Sequence, residues 1–466
     1  MKKKSITWIV IFMILIGSSS ITWFFSDDFI NSLDYGQRNA SYTYFYKGKY
    51  KDTAANTVEE VPVKPKLSQD NYKTYPSEFE SYYNTALPYR KLLVKLNSQL
   101  HYHLFGQSVN EDVIAGKNNW LFYRDSVDSS LGNWKFTDKQ LKQISENLTH
   151  SQNLLKSQGK EMVLFIPPNK ATIYPEYLPA YLNKKAGETP AEQLVSYLKE
   201  NTNIKVVFPV EELKSAKEKY KDMVFYHELD THWNIAGAYI GADCLANATG
   251  KDLPDIQKTS RKEYKFSDSD LTNMLGMPIK NGDTDYDISG YGEENTNLIN
   301  WDYHTSIIYQ TEGKKDNLFV VRDSFASALS QHLSTLYHNS YFISESKYNQ
   351  QQIFDYDSDV IILEYTERNL RKLENFRLSY ASCKLEKYGK ENKKLVISPA
   401  IPDRLDKYEI TLYKKATFAK SPELIQKEKM KNGRMSYTFP ASEKGTFTIE
   451  ITDSEGLLVE STEKRY

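Results

Sequence analysis

Short apolar runs recur through the middle of the chain, and each is set off from the next by a helical pattern. Few folds accommodate that rhythm. Met162-Val163-Leu164-Phe165-Ile166 ends at Pro167-Pro168, and Ile204-Lys205-Val206-Val207-Phe208, Asn317-Leu318-Phe319-Val320-Val321, Tyr341-Phe342-Ile343 and Val360-Ile361-Ile362-Leu363 follow. A continuous apolar run of this length reads as a strand buried on both faces. Between the runs the spacing predicts helices over Phe136–Lys156, Pro190–Glu200, Asn234–Ala248 and Phe325–Tyr337. The first is the best marked. Thr137 with Gln140 makes a capping box, Phe136 with Leu141 a hydrophobic staple, and Leu141, Ile144, Leu148 and Leu155 one apolar stripe. The third ends at Gly250, a suitable residue beyond a helix C-terminus. Helices alternating with such strands imply an α/β domain, a parallel sheet with helices on both faces. Residues 251–300 are polar and break the rhythm, so an insertion is expected there, a lid or substrate-facing loop.

The two ends of the chain follow different rules. Lys2, Lys3 and Lys4 precede an uncharged run, Ser5–Phe25, long enough to cross roughly 30 Å of hydrocarbon as a helix. Lysines before it and Asp27 and Asp28 after it favour a single-pass anchor over 1–25, N-terminus inside and the rest of the chain outside the cytoplasm. A cleaved signal peptide is the alternative, with Gly17-Ser18-Ser19-Ser20 as a small-residue site; the lack of an A-x-A site favours a retained anchor at the cell membrane. Residues 26–74 read as a polar linker with Pro62 and Pro65. A helical pattern begins near Pro76 and resumes after Pro88, and Val113–Tyr123 suggests two short strands around an Asn-rich turn. The catalytic α/β domain is expected over 75–385. After about residue 390 the grammar becomes that of hairpins: Leu395–Ile397, Tyr408–Tyr413 and Thr446–Ile451 alternate with period two, and Asp453-Ser454-Glu455-Gly456 turns into Leu457-Leu458-Val459. A small β-sandwich is expected over 390–466, serving as a structural cap or a carbohydrate-binding module.

Charge and cysteine content exclude several classes. Sixty basic residues face sixty-one acidic ones, so no basic excess marks a nucleic-acid binder. The two cysteines, Cys244 and Cys383, form no CxxC pair, which speaks against a structural zinc site or a redox motif. Cys244 reads as a buried small hydrophobe, and a bridge between the two is left open. No cofactor and no metal is expected.

Two segments hold residue types that work together chemically. Tyr226-His227-Glu228-Leu229-Asp230-Thr231-His232-Trp233-Asn234 opens a helix, and Val320-Val321-Arg322-Asp323-Ser324-Phe325 places a serine where an apolar strand gives way to a helix. Serine needs an adjacent base to become a nucleophile; His232 can be that base near neutral pH, and Asp230 can orient the imidazole and stabilise its charged form. The helix following Ser324 offers N–H groups and a positive dipole end to an oxyanion. Taken alone, Asp-Ser-Phe is commonly a helix cap and Asp-x-His a structural pair. Their joint placement at junctions of one α/β domain, where open-sheet sites occur, raises them above that. Metal binding by His227, Glu228, Asp230 and His232 is a rival, but Thr231 stands where an HExxH helix would have its second histidine.

Asp230-Thr231-His232-Trp233-Asn234 resembles the signature of the DHHW family, which is related to the SGNH-like domains of the alginate O-acetylation proteins. Val113–Tyr123, Phe165–Lys170, Arg322–Phe325 and Val360–Arg368 resemble that group as well. The resemblance spans roughly residues 75–380. It implies an SGNH, flavodoxin-like three-layer α/β/α domain and a triad of Ser324 as nucleophile, His232 as base and Asp230 as its orienter, with Asp-x-His before the serine in chain order. Arg322 stands where a plain Gly-Asp-Ser block has glycine; Arg322, Asn169 and Arg368 are the candidates for substrate or oxyanion contacts. The resemblance also implies an O-acetyltransferase acting on an exported cell-envelope polysaccharide and supplied by a multi-pass membrane acyltransferase. An extracytoplasmic carbohydrate acetyl esterase and a non-enzymatic glycan-binding scaffold are the alternatives.

Overall fold

A computed structural model describes residues 65–86, 90–182, 187–266, 269–276, 282–401, 407–429 and 435–466. The expected anchor over 1–25 lies outside the described residues. Among those described, no helix is long and apolar enough to cross a membrane.

The apolar runs form the centre of a seven-stranded sheet. Its strands are β3 (Glu161–Phe165), β4 (Lys205–Val207), β7 (Thr296–Trp301), β8 (Ser306–Thr311), β9 (Leu318–Arg322), β10 (Asn339–Ser344) and β11 (Val360–Glu364), in the order β4-β3-β11-β9-β10-β8-β7. The five strands legible as apolar runs pair in parallel. β8 and β7 then extend the sheet antiparallel from β10. The sheet is therefore mixed rather than parallel throughout, and the end of the expected insertion is sheet. β7 and β8 lie at the edge, half-exposed, so their sequences carry no continuous apolar run to announce them.

Alternation along the buried strands builds two cores. Val163, Phe165, Leu318, Val320, Val360 and Ile362 face one side, with helices α3 (Val210–Lys219), α4 (Ile235–Ala248) and α5 (Ala326–Leu333) over them. Met162, Leu164, Phe319, Val321, Ile361 and Leu363 face the other, under α1 (Asp138–Ser157) and α2 (Pro190–Asn201). α1 starts at the capping box of Thr137 and Gln140, as its sequence predicts, and α2 starts at a second one, Thr189 with Glu192. α5 is shorter than expected, passing at Ser334 into a 3₁₀ turn that ends at Leu336.

Smaller units accompany the central sheet among the described residues. β1 (Val113–Ala115) and β2 (Leu121–Tyr123) pair around Asn118 and Asn119, both with positive φ, which asparagine tolerates well. The rest of the expected insertion folds as the antiparallel pair β5 (Ser260–Phe266) and β6 (Asp283–Ser289) with a short helix, Asp270–Met274, between them. C-terminal strands form a three-stranded and a four-stranded antiparallel sheet. Leu395, Ile397 and Phe439 of one sheet and Ile410, Leu412, Phe447 and Ile449 of the other share an apolar interior with the lower face of the central sheet. Cys244 and Cys383 are both free and part-exposed.

His332, on α5, is buried between the rings of Tyr239 and Tyr291. Burial pushes its imidazole down to about 3. Its folded pKa lies below the unfolded value, so the unfolded chain takes up the extra proton. The stability this neutral form supplies is complete above about pH 6.5 and is lost as pH falls toward 3. Replacing it by phenylalanine is expected to flatten the pH dependence of urea-unfolding free energy across that window by up to one proton, about 1.4 kcal/mol per pH unit.

Candidate active site

Strands β3, β11 and β9 are neighbours, and the loops leaving their C-terminal ends converge. This is the crevice where open α/β sheets place their ligands. Ser324 follows β9 by two residues and is half-buried. Two acids hold its turn. The Asp323 carboxylate accepts the Phe325 N–H at 3.0 Å, the Thr366 N–H at 3.0 Å, the Asn369 amide at 2.8 Å and the Thr366 hydroxyl. Glu364, fully buried at the end of β11, accepts the Asp323 N–H at 2.6 Å. Burial would raise the Asp323 pKa, yet the Arg368 charge and these donors hold it at about 2. Burial, together with the neighbouring Asp323 charge, drives Glu364 well above the usual carboxylate range. The two neighbouring acids beneath the serine are thus pushed in opposite directions.

The histidine segment is shaped before α4 begins. Tyr226 and Trp233 form an antiparallel bridge, and the His227 N–H donates to the His232 carbonyl at 3.1 Å. Lys170, buried just after β3, donates from Nζ to the carbonyls of His227, Glu228 and Asp230 at 3.0, 3.1 and 2.6 Å. Burial lowers its pKa to about 8. Asn234 caps α4 by accepting the Gly237 N–H. Glycine is required there: a Cβ on Gly237 would lie 2.1 Å from the Phe225 carbonyl, and one on Gly241 would lie 2.9 Å from the Trp233 ring. Trp233 in turn donates from Nε1 to the Phe325 carbonyl at 3.0 Å, tying the histidine segment to the serine segment.

The three expected residues lie in one line. His232 Nδ1 donates to Asp230 Oδ1 at 2.6 Å, and Nε2 lies 2.7 Å from Ser324 Oγ, the tautomer that lets Nε2 accept the serine proton. Burial works against the imidazolium, but Asp230 and then Asp270 outweigh it, so the His232 pKa is raised above its ordinary value. Burial alone would raise Asp230; the His232 charge and hydrogen bond hold it far below the carboxylate range.

Asp270 is a fourth group, unanticipated because it sits in the polar excursion. Its N–H donates to Asp230 Oδ2 at 2.7 Å. Its carboxylate accepts the Thr231 N–H at 2.8 Å and the Thr231 hydroxyl at 2.6 Å, and lies 3.8 Å from His232 Nδ1. Burial and then the Asp230 charge push it up to about 6. Ligand atoms of Asp230, His232 and Asp270 lie within 4.8 Å of one another, but both carboxylates already accept hydrogen bonds from this segment and Nε2 faces the serine. His227, part of the rival metal reading, is buried 3.8 Å from Asp285.

The remaining expected contacts differ in position. Arg368 is half-buried, its guanidinium 5.0 Å from the Phe325 ring centroid, and its charge acts on both His232 and Asp323. Asn169 is buried: its N–H donates to Glu367 and its amide to the Ser126 carbonyl. Arg322 is buried and donates to the carbonyls of Asp323 and Tyr303. A groove of about 1170 Å³ runs along Val206–Pro209 and α3, and Asp230, His232 and Ser324 are not among its walls.

Residues 113–279 match the family described as SGNH hydrolase-like domain, acetyltransferase AlgX, a span that contains Asp230 and His232 and ends before Ser324. The chain is 25% identical over 205 residues, 42% of its length and 50% of the relative's, to a probable alginate O-acetylase AlgJ of Pseudomonas putida. It thus spans about half the length of the curated relatives it matches. Among solved structures it is similar to Bacillus cereus PatB1 (17% identity, TM-score 0.45, 57% of this chain and 99% of that one). It is also similar to a DHHW family protein of Eubacterium siraeum (14% identity, TM-score 0.42, 57% and 95%).

Asp270→Asn removes a carboxylate charge beside the imidazole. The His232 titration midpoint, followed by NMR of the ring protons, is expected to fall.

Proposed function

We propose that this chain is an O-acetyltransferase for an exported cell-envelope polysaccharide, working through an acetylated Ser324. The observation that carries this reading is the hydrogen-bond line Asp230–His232–Ser324. Its outer contacts of 2.6 and 2.7 Å supply the base and the orienter that a serine nucleophile needs. His232 takes the serine proton as Ser324 attacks an acetyl donor and gives it to the departing donor group; it then takes the proton of a sugar hydroxyl that attacks the acetyl-enzyme and returns it to Ser324 as the acetyl ester of the sugar leaves. Similarity to a protein named as a probable alginate O-acetylase supports polysaccharide as the acceptor class. The lysines and apolar run of residues 1–25 support an anchor with the catalytic domain outside, within reach of a multi-pass membrane acyltransferase that delivers the acetyl group. The C-terminal sheets, whose interior is continuous with the central core, serve as a structural cap.

With a chromogenic acetyl ester, Ser324→Ala and His232→Ala are each expected to lower turnover by about 10³-fold or more. Intact mass should show an acetyl-enzyme in the wild type and none in Ser324→Ala. Acetyl appearing on an added glycan supports transfer; release only as acetate supports an esterase. Full turnover by Ser324→Ala would sink the mechanism.

A further inference from the structure

Asp230 Oδ1 accepts both the Nδ1 and the backbone N–H of His232, at 2.6 and 3.0 Å. The other oxygen needs a partner of its own to keep the carboxylate from turning. The hairpin β5–β6 supplies it. The short helix between these strands, Asp270–Met274, lies against the segment that carries Asp230: Leu271 and Leu275 share a buried apolar cluster with Leu229, Val113 and Leu121. The first N–H groups of a helix lack partners within it. That of Asp270 donates to Asp230 Oδ2 at 2.7 Å. The Asp270 carboxylate returns the contact, accepting the Thr231 N–H at 2.8 Å and the Thr231 hydroxyl at 2.6 Å. That hydroxyl oxygen lies 3.2 Å from His232 Nδ1. Asp283, fully buried at the start of β6, braces the arrangement from behind by accepting the Leu229 N–H at 2.6 Å and the Ser269 hydroxyl. Leu229 precedes Asp230 and Ser269 precedes Asp270, so one carboxylate fixes the approach to both aspartates.

We propose that Asp270 is a positioning residue for the acyl-transfer reaction: it clamps Asp230 and Thr231 so that the Asp230 carboxylate stays aimed at His232 Nδ1 and the imidazole at Ser324. The inference rests on the reading of His232 as the base that serves Ser324. Asp270 acts through Thr231 and Asp230, not on the substrate. The need for a clamp follows from the geometry of the line. His232 can take the serine proton only while Nε2 stays within hydrogen-bond reach of Oγ, and the contact of Nδ1 with Asp230 sets the orientation of the ring. A carboxylate held at one oxygen can rotate about its side-chain bonds, and the ring turns with it. Holding both oxygens removes that freedom before substrate arrives. The Asp270 charge works in the same direction. Burial opposes the imidazolium, while Asp230 and then Asp270 favour it, so the clamp also steadies the ion pair present once the serine proton has moved.

The test uses the full chain in detergent with a chromogenic acetyl ester, and follows kcat and KM across the pH range in which imidazole titrates. Asp270→Asn keeps the size of the side chain and removes its charge and one acceptor. The expected result is a fall in kcat of up to about 10²-fold, the scale on which a small misplacement of a catalytic group is felt, with little change in KM. The acidic limb of the pH profile is expected to move to lower pH, because the His232 pKa falls and its free base persists further into acid. Thr231→Val deletes the hydroxyl between Asp270 and His232 and is expected to lower kcat; Thr231→Ser keeps the hydroxyl and is expected to stay near wild type. Melting temperatures are read beside each rate, and if Asp270→Asn does not fold, the Thr231 pair decides alone. An acidic limb that stays in place, or wild-type kcat in Asp270→Asn, overturns the inference. Equal kcat in Thr231→Val and Thr231→Ser overturns the clamp as well. Full turnover by His232→Ala or Ser324→Ala overturns the underlying reading instead, whatever Asp270→Asn does.

Discussion

The Asp323 carboxylate is the interaction on which the rest of the site depends. A serine exposed at the end of a buried strand needs a tight turn, and a tight turn leaves backbone N–H groups without partners. Asp323 takes the N–H of Phe325 on one side and the N–H, hydroxyl and amide of Thr366 and Asn369 on the other. One buried charge therefore defines the Ser324 turn and joins it to the loop leaving β11. A buried carboxylate with this many donors is stabilised in its ionised form, and a lone one would be costly. Glu367, one residue beyond Thr366, does the same toward β3 by accepting the Asn169 N–H and the Thr172 hydroxyl. Three adjacent loops are thereby held in register by two acids.

Precision at the histidine comes from a second set of ties. Lys170 gathers three carbonyls of the segment that carries Asp230, and Trp233 bridges to Phe325. The small residues of α4 make this possible, since Gly237 and Gly241 leave room for the Phe225 carbonyl and the indole. The tryptophan of the signature is thus a spacer and a hydrogen-bond donor that keeps His232 and Ser324 at contact distance.

Much of this was legible in the sequence, for definite reasons. β3, β9 and β11 are buried on both faces and so read as apolar runs; α1 announces itself by its capping box; Asp230, His232 and Ser324 stand at element junctions. β7 escaped because an edge strand needs no continuous apolar run, and β8, paired between β10 and β7, because only its alternate residues are buried. Asp270 escaped because the contact between residues 230 and 270 is made by tertiary folding of a polar excursion, and nothing local marks it. Asn169 was legible as part of a bend, but only the fold shows its amide donating to the Ser126 carbonyl.

The position of β11 has a consequence for how such a chain comes into being. β11 lies between β3 and β9 and pairs with both, yet it is the last strand of the central sheet to be synthesised. Until residues 360–364 arrive, β3 and β9 lack their common neighbour, and Asp323 lacks Thr366 and Asn369. A chain emerging N-terminus first therefore holds its aspartate, histidine and serine for some time without a site, and closes the sheet in one late, long-range event of the kind that folds slowly. Asp230, His232 and Ser324 are brought together only when nearly the whole α/β domain has been delivered.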